Sequence, residues 1–345
     1  MENRHEIDDV LIYVSASGEL DDRHVWRRDK LYQGMNGKFV ERFYASPEQS
    51  YIFKPVTHEG SEDREAWVYK HILSAFPPIY PRLLGCSKPG QGKAGWSIFE
   101  DLGEISHRFN VKHALLVAKQ IAWWHSFPAV HWGDVPDMGQ KPNLRRMSAD
   151  LYERKEEAEA SLEGAELPRS LAGDILHKLE QAGSGLLDKD AEVLSHGDLH
   201  LGNYAVTESG ELYILDWEHA HLNVPYWDLY YLLDMSHPRY PKQMTLAYRE
   251  RILRYYLKQS AYYGKTWDEE AFIKDYSLLA AVFSLWMLML IANDLQQGNS
   301  VWSRAELLSQ RNEVKASLID CWDRIEAGDD QENHVLHNTE RAANQ

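Results

Sequence analysis

Cysteine and long apolar runs are both scarce in this sequence. The 345 residues include only two cysteines, Cys86 and Cys321, too few for a disulfide framework or a cysteine-based zinc site. The longest apolar run, at residues 278–292, is interrupted by Ser284 and is shorter than the ~18 residues that indicate a membrane span. We therefore expect free thiols in a cytoplasmic protein, and a buried core helix without a membrane partner.

Basic residues are also relatively few. Acidic residues outnumber basic ones by 53 to 37, which gives a net charge of −16. That excess argues against broad electrostatic binding to nucleic acid or to an anionic membrane. Hydrophobic residues make up 44% of the chain, enough for a substantial core, and the length allows one large domain or two ordinary ones.

The spacing of apolar residues changes near residue 102. Before it, short β-like runs dominate, with one helical pattern at residues 61–76; after it, helical spacing prevails. We expect an α+β protein with a small β-rich N-lobe at residues 1–101, a larger helical C-lobe at residues 102–325, and a flexible polar tail at residues 326–345. The β-like runs of the first part are DVLIYVS, KFVERFYA, SYIFKPV and WSIFEDL.

One short stretch, LSHGDLHLGNYAV, places charged and polar residues between two apolar runs. Asn203 follows Asp198 by five positions, and Asp216 comes thirteen positions later in LYILDWEHA. The apolar runs after Asn203 predict a hairpin, whose open end would bring Asn203 close to Asp216. Amide and carboxylate oxygens suit a small divalent cation, and Asp198 could accept a proton from an alcohol. The alternative is a polar loop in which Asp198 caps a turn and Asp216 ends a strand.

The segments HGDLHLGN and ILDWEHA resemble the aminoglycoside phosphotransferase and choline kinase family, which has a protein-kinase-like two-lobe fold. The resemblance implies transfer of the γ-phosphate of ATP to a hydroxyl group of a small molecule, with Mg²⁺ as cofactor. It assigns Asp198 as the catalytic base and Asn203 and Asp216 as magnesium ligands. It also implies that His196 supports the loop and that Asp228 is structural.

The same resemblance assigns nucleotide-binding roles to residues near the N-terminus. Gly34 and Gly37 lie in a turn between two β-like runs, where a loop covering the nucleotide is expected, although such a spacing also suits an ordinary hairpin turn. Lys54, in the strand-like run YIFKPV, is expected to bind phosphates. Glu65 is its expected ion-pair partner, with Glu62, one helical turn earlier, as the alternative.

The segment GWSIFEDLGE resembles the connection between the two lobes. There the backbones of Glu100 and Leu102 are expected to hydrogen-bond the adenine ring. An ordinary strand end is the alternative interpretation of the same residues, because a backbone contact leaves no signature in the side chains.

The acceptor is less well defined by the sequence. An acidic residue, Glu218, together with Trp217 and Trp227 could flank a cationic group, as an aminoglycoside- or choline-like acceptor would carry, although tryptophans are more often core residues. Two other functions stay open: an atypical protein or lipid kinase, and a non-catalytic nucleotide-binding regulatory module. The oligomeric state, the choice between ATP and GTP, and the role of residues 1–26 are not determined.

Overall fold

The computed structural model describes most of the chain as two compact units. The first comprises Met1–Ser106 and Tyr204–His219, and the second His107–Asn203 and Ala220–Gln345. Of residues 329–343 only the backbone is described. The residues that the structure does not describe are 1–9, 35–36, 57–63, 88–94, 134, 136–138, 140, 184–191, 299–300 and 344–345.

An antiparallel five-stranded sheet organises the first unit. Its order is β1-β2-β3-β5-β4, and its inner face packs around Phe43, Phe53 and Ile98. An α-helix, α1, follows β3 at Arg64–His71. The predicted β-rich N-terminal region and the α+β class are thereby confirmed. The strands are β1 (Arg27–Gln33), β2 (Phe39–Ser46), β3 (Gln49–Pro55), β4 (Leu83–Cys86) and β5 (Trp96–Glu100).

The first β-like run, DVLIYVS, does not form a strand. Leu11–Tyr13 is a short 3-10 helix instead. Val10 is 2% exposed and belongs to the core of the sheet, whereas Leu11 and Ile12 are 43% and 52% exposed. Tyr13 and Val14 are partly buried against the same core, but the two consecutive exposed residues between them and Val10 break the alternating buried face that a strand of this sheet requires.

The predicted hairpin after Asn203 is present. Strand β7, Tyr204–Val206, pairs antiparallel with β8, Leu212–Ile214, in the register Tyr204↔Ile214. A left-handed Gly210 (φ 88°) closes the turn, a conformation that glycine adopts without strain. Asn203 therefore directly precedes the hairpin, and Asp216 follows it by one intervening residue.

Helices form most of the second unit. Helix α8, Glu269–Gln297, includes the apolar run at residues 278–292, and its mostly buried residues confirm the predicted core helix. By length and composition α8 could also cross a membrane, but 72% of its most apolar window is buried within the protein. The helices are α2 (Val111–His125), α3 (Leu144–Glu153), α4 (Lys155–Gly164), α5 (Leu171–Ala182), α6 (Tyr226–Leu233), α7 (Leu246–Tyr262), α8 (Glu269–Gln297) and α9 (Arg304–Ala343).

The backbone of α9 differs from the expectation of a flexible tail at residues 326–345. It is helical as far as Ala343. The segment contains no proline, and an irregular apolar pattern indicates only that a helix lacks a buried face. The sequence pattern therefore did not predict the backbone conformation.

Candidate active site

The ammonium group of Lys54 lies at the centre of a buried ion cluster in the first unit. Its Nζ is 2.9 Å from Glu65 Oε1, 2.7 Å from Asp216 Oδ1 and 3.5 Å from Glu218 Oε2. Lys54 is 9% exposed, and so these contacts are shielded from water. The ion pair with Glu65 is the one expected from the sequence, whereas Glu62, the alternative partner, lies outside the described residues.

Negative charge exceeds positive charge around Lys54. Burial raises the pKa of Glu65, against the attraction of Lys54, and burial together with repulsion from Asp216 raises the pKa of Glu218 to about 7. Burial opposes the charged form of Lys54, but the surrounding carboxylates outweigh it and hold the lysine pKa well above its usual value. Arg64 is a second cation that interacts with Glu218. The cluster therefore favours the arrival of further positive charge, as a metal ion would supply.

Asp216 has a backbone conformation that residues other than glycine rarely adopt. Its φ is 60°, in the left-handed region. Trp217 anchors the turn, because its indole Nε1 donates to Ile214 O at 3.1 Å and its buried ring packs edge-on against Phe76 at 5.2 Å. Strained backbone of this kind persists where the surrounding structure fixes it. Here it directs a carboxylate toward Lys54.

Asp228 fixes the start of the HGDLHLGN loop in the second unit. The loop begins at β6 (Val193–Ser195), which pairs with β9 (His221–Asn223). Asp228 is fully buried in α6 and accepts hydrogen bonds that hold the first turn of the loop. The donors are Ser195 Oγ at 2.5 Å, His196 N at 2.9 Å, Gly197 N at 3.3 Å and Trp124 Nε1 at 3.2 Å.

Asp198 and Asn203 lie in contact within this loop. Asn203 Nδ2 donates to Asp198 O at 2.7 Å and to Asp198 Oδ2 at 3.1 Å. These two bonds fix the orientation of the amide and make its oxygen the atom suited to bind a cation. The carboxylate of Asp198 keeps 16% of its side chain exposed, so that the loop presents a basic oxygen at a partly open position.

His200 is a residue of this site to which the sequence analysis assigned no role. Gly202 N donates to His200 Nδ1 at 2.9 Å, which fixes the neutral tautomer with its proton on Nε2. That nitrogen lies 3.6 Å from Asp198 Oδ2, and the ring stacks on His237 with centroids 4.7 Å apart. The only available signal was the position of His200 two residues after Asp198.

The predicted glycine turn joins β1 and β2. Gly34 N donates to Lys38 O at 2.8 Å, and Gly37 N donates to Gly34 O at 3.0 Å. Gly37 has φ 78°, which explains why glycine is needed there. Residues 35–36 lie outside the described chain, and the role of this turn over a nucleotide stays a prediction.

Glu100 and Leu102 lie at the end of β5, as expected. Glu100 N donates to Arg82 O at 3.0 Å, and so the backbone N–H of Glu100 is already used within the sheet. Asp101, between them, is held by Arg42 Nε at 2.6 Å and by Ser50 Oγ at 2.7 Å. The adenine contact through this backbone stays a prediction.

The expected cation cage of Trp217, Glu218 and Trp227 does not form. Both tryptophans are completely buried, and Trp227 packs against Phe283 in the core of the second unit. Glu218 is 7% exposed and faces Lys54. The expectation was wrong because aromatic residues next to a reactive loop can serve to pack it, and the sequence does not distinguish that role from ligand binding.

The donor atoms present suit a nucleotide-bound magnesium ion better than a metal held by protein alone. Among the described residues, no group of three or more histidine, cysteine or acidic side chains is arranged to hold a metal. Magnesium is commonly bound by one or two protein oxygens together with substrate phosphates. Asp216 in the first unit and Asn203 in the second each carry an oxygen of that kind.

Solved structures share this fold. A spectinomycin phosphotransferase in complex with ADP and spectinomycin is 14% identical, with a TM-score of 0.57 over 86% of this chain and 93% of that one. An aminoglycoside phosphotransferase from Alicyclobacillus acidocaldarius is 13% identical, with a TM-score of 0.53 over 95% and 96%. Choline kinase LicA from Streptococcus pneumoniae is 18% identical, with a TM-score of 0.51 over 86% and 94%. At these identities the likeness defines the fold, which is that of kinase-like phosphotransferases.

The family follows from the sequence comparison. Residues 45–273 match the phosphotransferase enzyme family. Because the match covers more than half of the 345 residues, the chain belongs to that family and is a phosphotransferase that uses hydroxyl acceptors. No curated protein sequence matches the chain.

Proposed function

We propose that this protein is an ATP-dependent kinase that transfers the γ-phosphate to a hydroxyl group of a small molecule. The observation that carries the proposal is the pair of ion contacts to Lys54. Its ammonium group lies 2.9 Å from Glu65 and 2.7 Å from Asp216. A lysine fixed in this way presents a positioned charge to phosphate oxygens. The solved complexes of related fold support a nucleotide substrate, since one contains ADP and another contains GDP with kanamycin.

Asn203 and Asp216 are the proposed magnesium ligands. When bound with the nucleotide, magnesium neutralises charge on the phosphates. The crowded carboxylates around Lys54 support this role. Burial and repulsion from Asp216 raise the pKa of Glu65 and of Glu218, and an added cation would offset that repulsion. Asp216 would then share its two oxygens between Lys54 and the metal.

Asp198 is the proposed catalytic base. An ordinary alcohol does not ionise at neutral pH, and a carboxylate within hydrogen-bond reach orients the hydroxyl and accepts its proton as the bond to phosphorus forms. Asn203 Nδ2 donates to the carboxylate at 3.1 Å, and His200 Nε2 lies 3.6 Å from the same oxygen. Phosphoryl transfer depends mainly on positioning and charge neutralisation, so this set of residues is sufficient for the reaction.

The acceptor is proposed to be a small hydroxyl compound. Solved structures of the same fold include enzymes named for spectinomycin, for aminoglycosides and for choline, which supports a small molecule in place of a protein. A cationic acceptor has no support from Trp217, Trp227 or Glu218, because these side chains are buried. The acceptor must therefore be recognised by other residues.

The proposal is tested by measuring ADP release from ATP and magnesium with a panel of alcohols that includes aminoglycosides, choline and phosphorylated alcohols. We expect at least one acceptor to raise the rate well above the basal hydrolysis of ATP, and the phosphorylated product to appear by mass spectrometry. The Asp198→Asn variant is the control, since it should bind nucleotide but form product about 10²–10⁴-fold more slowly. Saturable ATP binding without turnover on any alcohol would instead favour a non-catalytic nucleotide-binding module.

A further inference from the structure

An open groove in the second unit is lined by positive charge. A cavity of about 510 Å³ lies against residues 107–109 and 239–243, and an adjoining cavity of about 410 Å³ shares Phe109 and Tyr248 with it. We call these two cavities together the basic groove. The residues of the groove that matter here are Arg108, Lys112, Arg239, Arg251, Phe109 and Tyr240.

The charge of the basic groove is opposite to that of the whole chain. The chain carries a net −16, yet no aspartate or glutamate is among the described residues that line either cavity. Within the described chain, no ion pair joins Arg108, Lys112 or Arg251 to a carboxylate. Arg239 does interact with Glu306. Unneutralised cations that cluster in an acidic protein indicate selection for an anion.

Aromatic side chains form the apolar part of the groove. Phe109, Tyr240 and Tyr248 line it, and Tyr248 keeps 41% of its surface exposed. Arg239 is held over the ring of Trp302 at 5.0 Å, which leaves its guanidinium plane fixed for bidentate contact with an anion. Flat apolar walls next to arginines suit a ligand that combines a ring with a phosphate or carboxylate group.

Tyr240 connects the groove to the catalytic loop. The Tyr240 ring packs directly against Gly202, where any side chain would clash with it. The Tyr240 ring also lies parallel to that of His200 with centroids 6.1 Å apart. His200 Nε2 in turn is 3.6 Å from Asp198. A ligand that contacts Tyr240 therefore touches the packing that positions the proposed base.

We propose that the basic groove binds a small anion that carries a ring, at a site separate from the Lys54 cluster. Such a ligand is either the acceptor itself, with its anionic group held by the groove, or an effector that acts on the loop through Tyr240. Both share the same recognition chemistry. The binding itself does not depend on the proposed kinase activity and is measured without nucleotide.

The probe is phenyl phosphate, titrated by calorimetry into the full chain. We expect saturable binding that weakens by about 10-fold or more when Arg108→Gln and Arg251→Gln are combined, because the charge-assisted hydrogen bonds to the anion are lost. Arg145→Gln is the matched control, since Arg145 is exposed on α3 of the same unit and lies outside the groove. Lys54→Ala should leave the binding unchanged, which separates this site from the nucleotide cluster.

Two reference compounds test the two parts of the ligand. Phenol, which lacks the charge, and inorganic phosphate, which lacks the ring, should each bind about 10-fold more weakly than phenyl phosphate. Equal binding of phenyl phosphate by the wild type and the double variant would overturn the proposal. So would equal weakening by Arg145→Gln, or a complete loss of binding in Lys54→Ala.

A hydroxyl-bearing probe distinguishes an acceptor from an effector. With ATP and magnesium, 4-(hydroxymethyl)phenyl phosphate should yield a second phosphorylated product if the groove holds the acceptor, and the yield should fall in the Arg108/Arg251 double variant. Binding without product, with the same dependence on these arginines, identifies an effector site. If the kinase proposal fails, no product forms on any alcohol, but the calorimetric binding remains.

Discussion

Asp228 in the second unit and Glu218 in the first are both buried carboxylates, but their pKa values shift in opposite directions. Burial alone would raise the pKa of Asp228, yet hydrogen bonds from His125 and Ser195 and the nearby histidines lower it to about 2. For Glu218, burial and the neighbouring Asp216 raise the pKa to about 7, and Lys54 only partly offsets them. Sufficient donors therefore surround one carboxylate and not the other.

The opposite pKa shifts distinguish a carboxylate that holds the backbone in place from carboxylates that belong to a binding site. A buried carboxylate with enough donors is stable as it stands and fixes the backbone around it. Carboxylates that crowd together with too little positive charge are poised to accept a cation. The first arrangement holds the HGDLHLGN loop, and the second surrounds the lysine that we propose binds phosphates. Substitutions in both arrangements test this distinction.

The largest effect is expected at Asp216. Asp216→Asn removes the metal-binding charge while keeping a side chain that tolerates left-handed backbone. A metal ion contributes several kcal/mol to transition-state stabilisation, so kcat should fall by about 10³-fold or more. The melting temperature without nucleotide should stay the same or rise, because one of the mutually repelling carboxylates is gone. Near-native turnover would contradict the metal assignment.

Asp198→Asn should have the next largest effect. It preserves the shape of the loop but removes the base, and general-base catalysis is worth roughly 10²–10⁴-fold in rate. We expect kcat to fall within that range, with nearly normal binding of the magnesium–nucleotide complex by calorimetry. A variant with a lowered melting temperature and full turnover per folded molecule would show that Asp198 is only structural.

Lys54→Ala should reduce turnover and raise the KM for ATP, by about 10²-fold in kcat/KM, because one fixed charge on the phosphates is lost. Glu65→Gln is the matched milder change, since it keeps the side-chain shape and leaves Asp216 to hold the lysine. Its defect should affect the same parameters by about 10-fold. If Glu62→Gln proved the more damaging of the two glutamate variants, the partner of Lys54 would be reassigned.

Asp228→Asn should act on stability with little direct effect on the chemistry. Loss of the charged acceptor weakens its hydrogen bonds to the loop, and the free energy of unfolding should fall by about 3 kcal/mol at pH 7. Because folding lowers this pKa from 3.8 to about 2, the charge contributes ~2 kcal/mol above pH 3.8, and the contribution disappears as the pH falls toward 2.

Urea unfolding of the wild type and Asp228→Asn at pH 7 and pH 3 measures this directly. The difference between the two proteins should shrink at the lower pH. A constant difference would mean that Asp228 contributes through shape alone, and the comparison with Glu218 would lose its electrostatic basis.

Much of the fold was predictable because local patterns encode it. Alternating apolar residues identified β2, β3 and β5, and the dense apolar run identified α8, since such patterns report which faces are buried. The run at residues 9–15 was misassigned as a strand, because a short apolar segment fits a strand and a 3-10 turn equally well. The helical backbone beyond Glu326 was missed because its polar sequence shows no helical spacing of apolar residues.

The sequence by itself determined the HGDLHLGN loop that we propose is catalytic, the hairpin after it and the family, because these depend on residue types at fixed short spacings. Only the tertiary structure decided that Glu218 faces Lys54, which is 164 positions earlier in the chain. The burial of Trp217 and Trp227 and the left-handed backbone of Asp216 were also decided there. Such features depend on packing between distant segments. The direction in which a side chain leaves a turn is set by the partners that the fold brings to it, and those partners cannot be identified from the neighbouring residues.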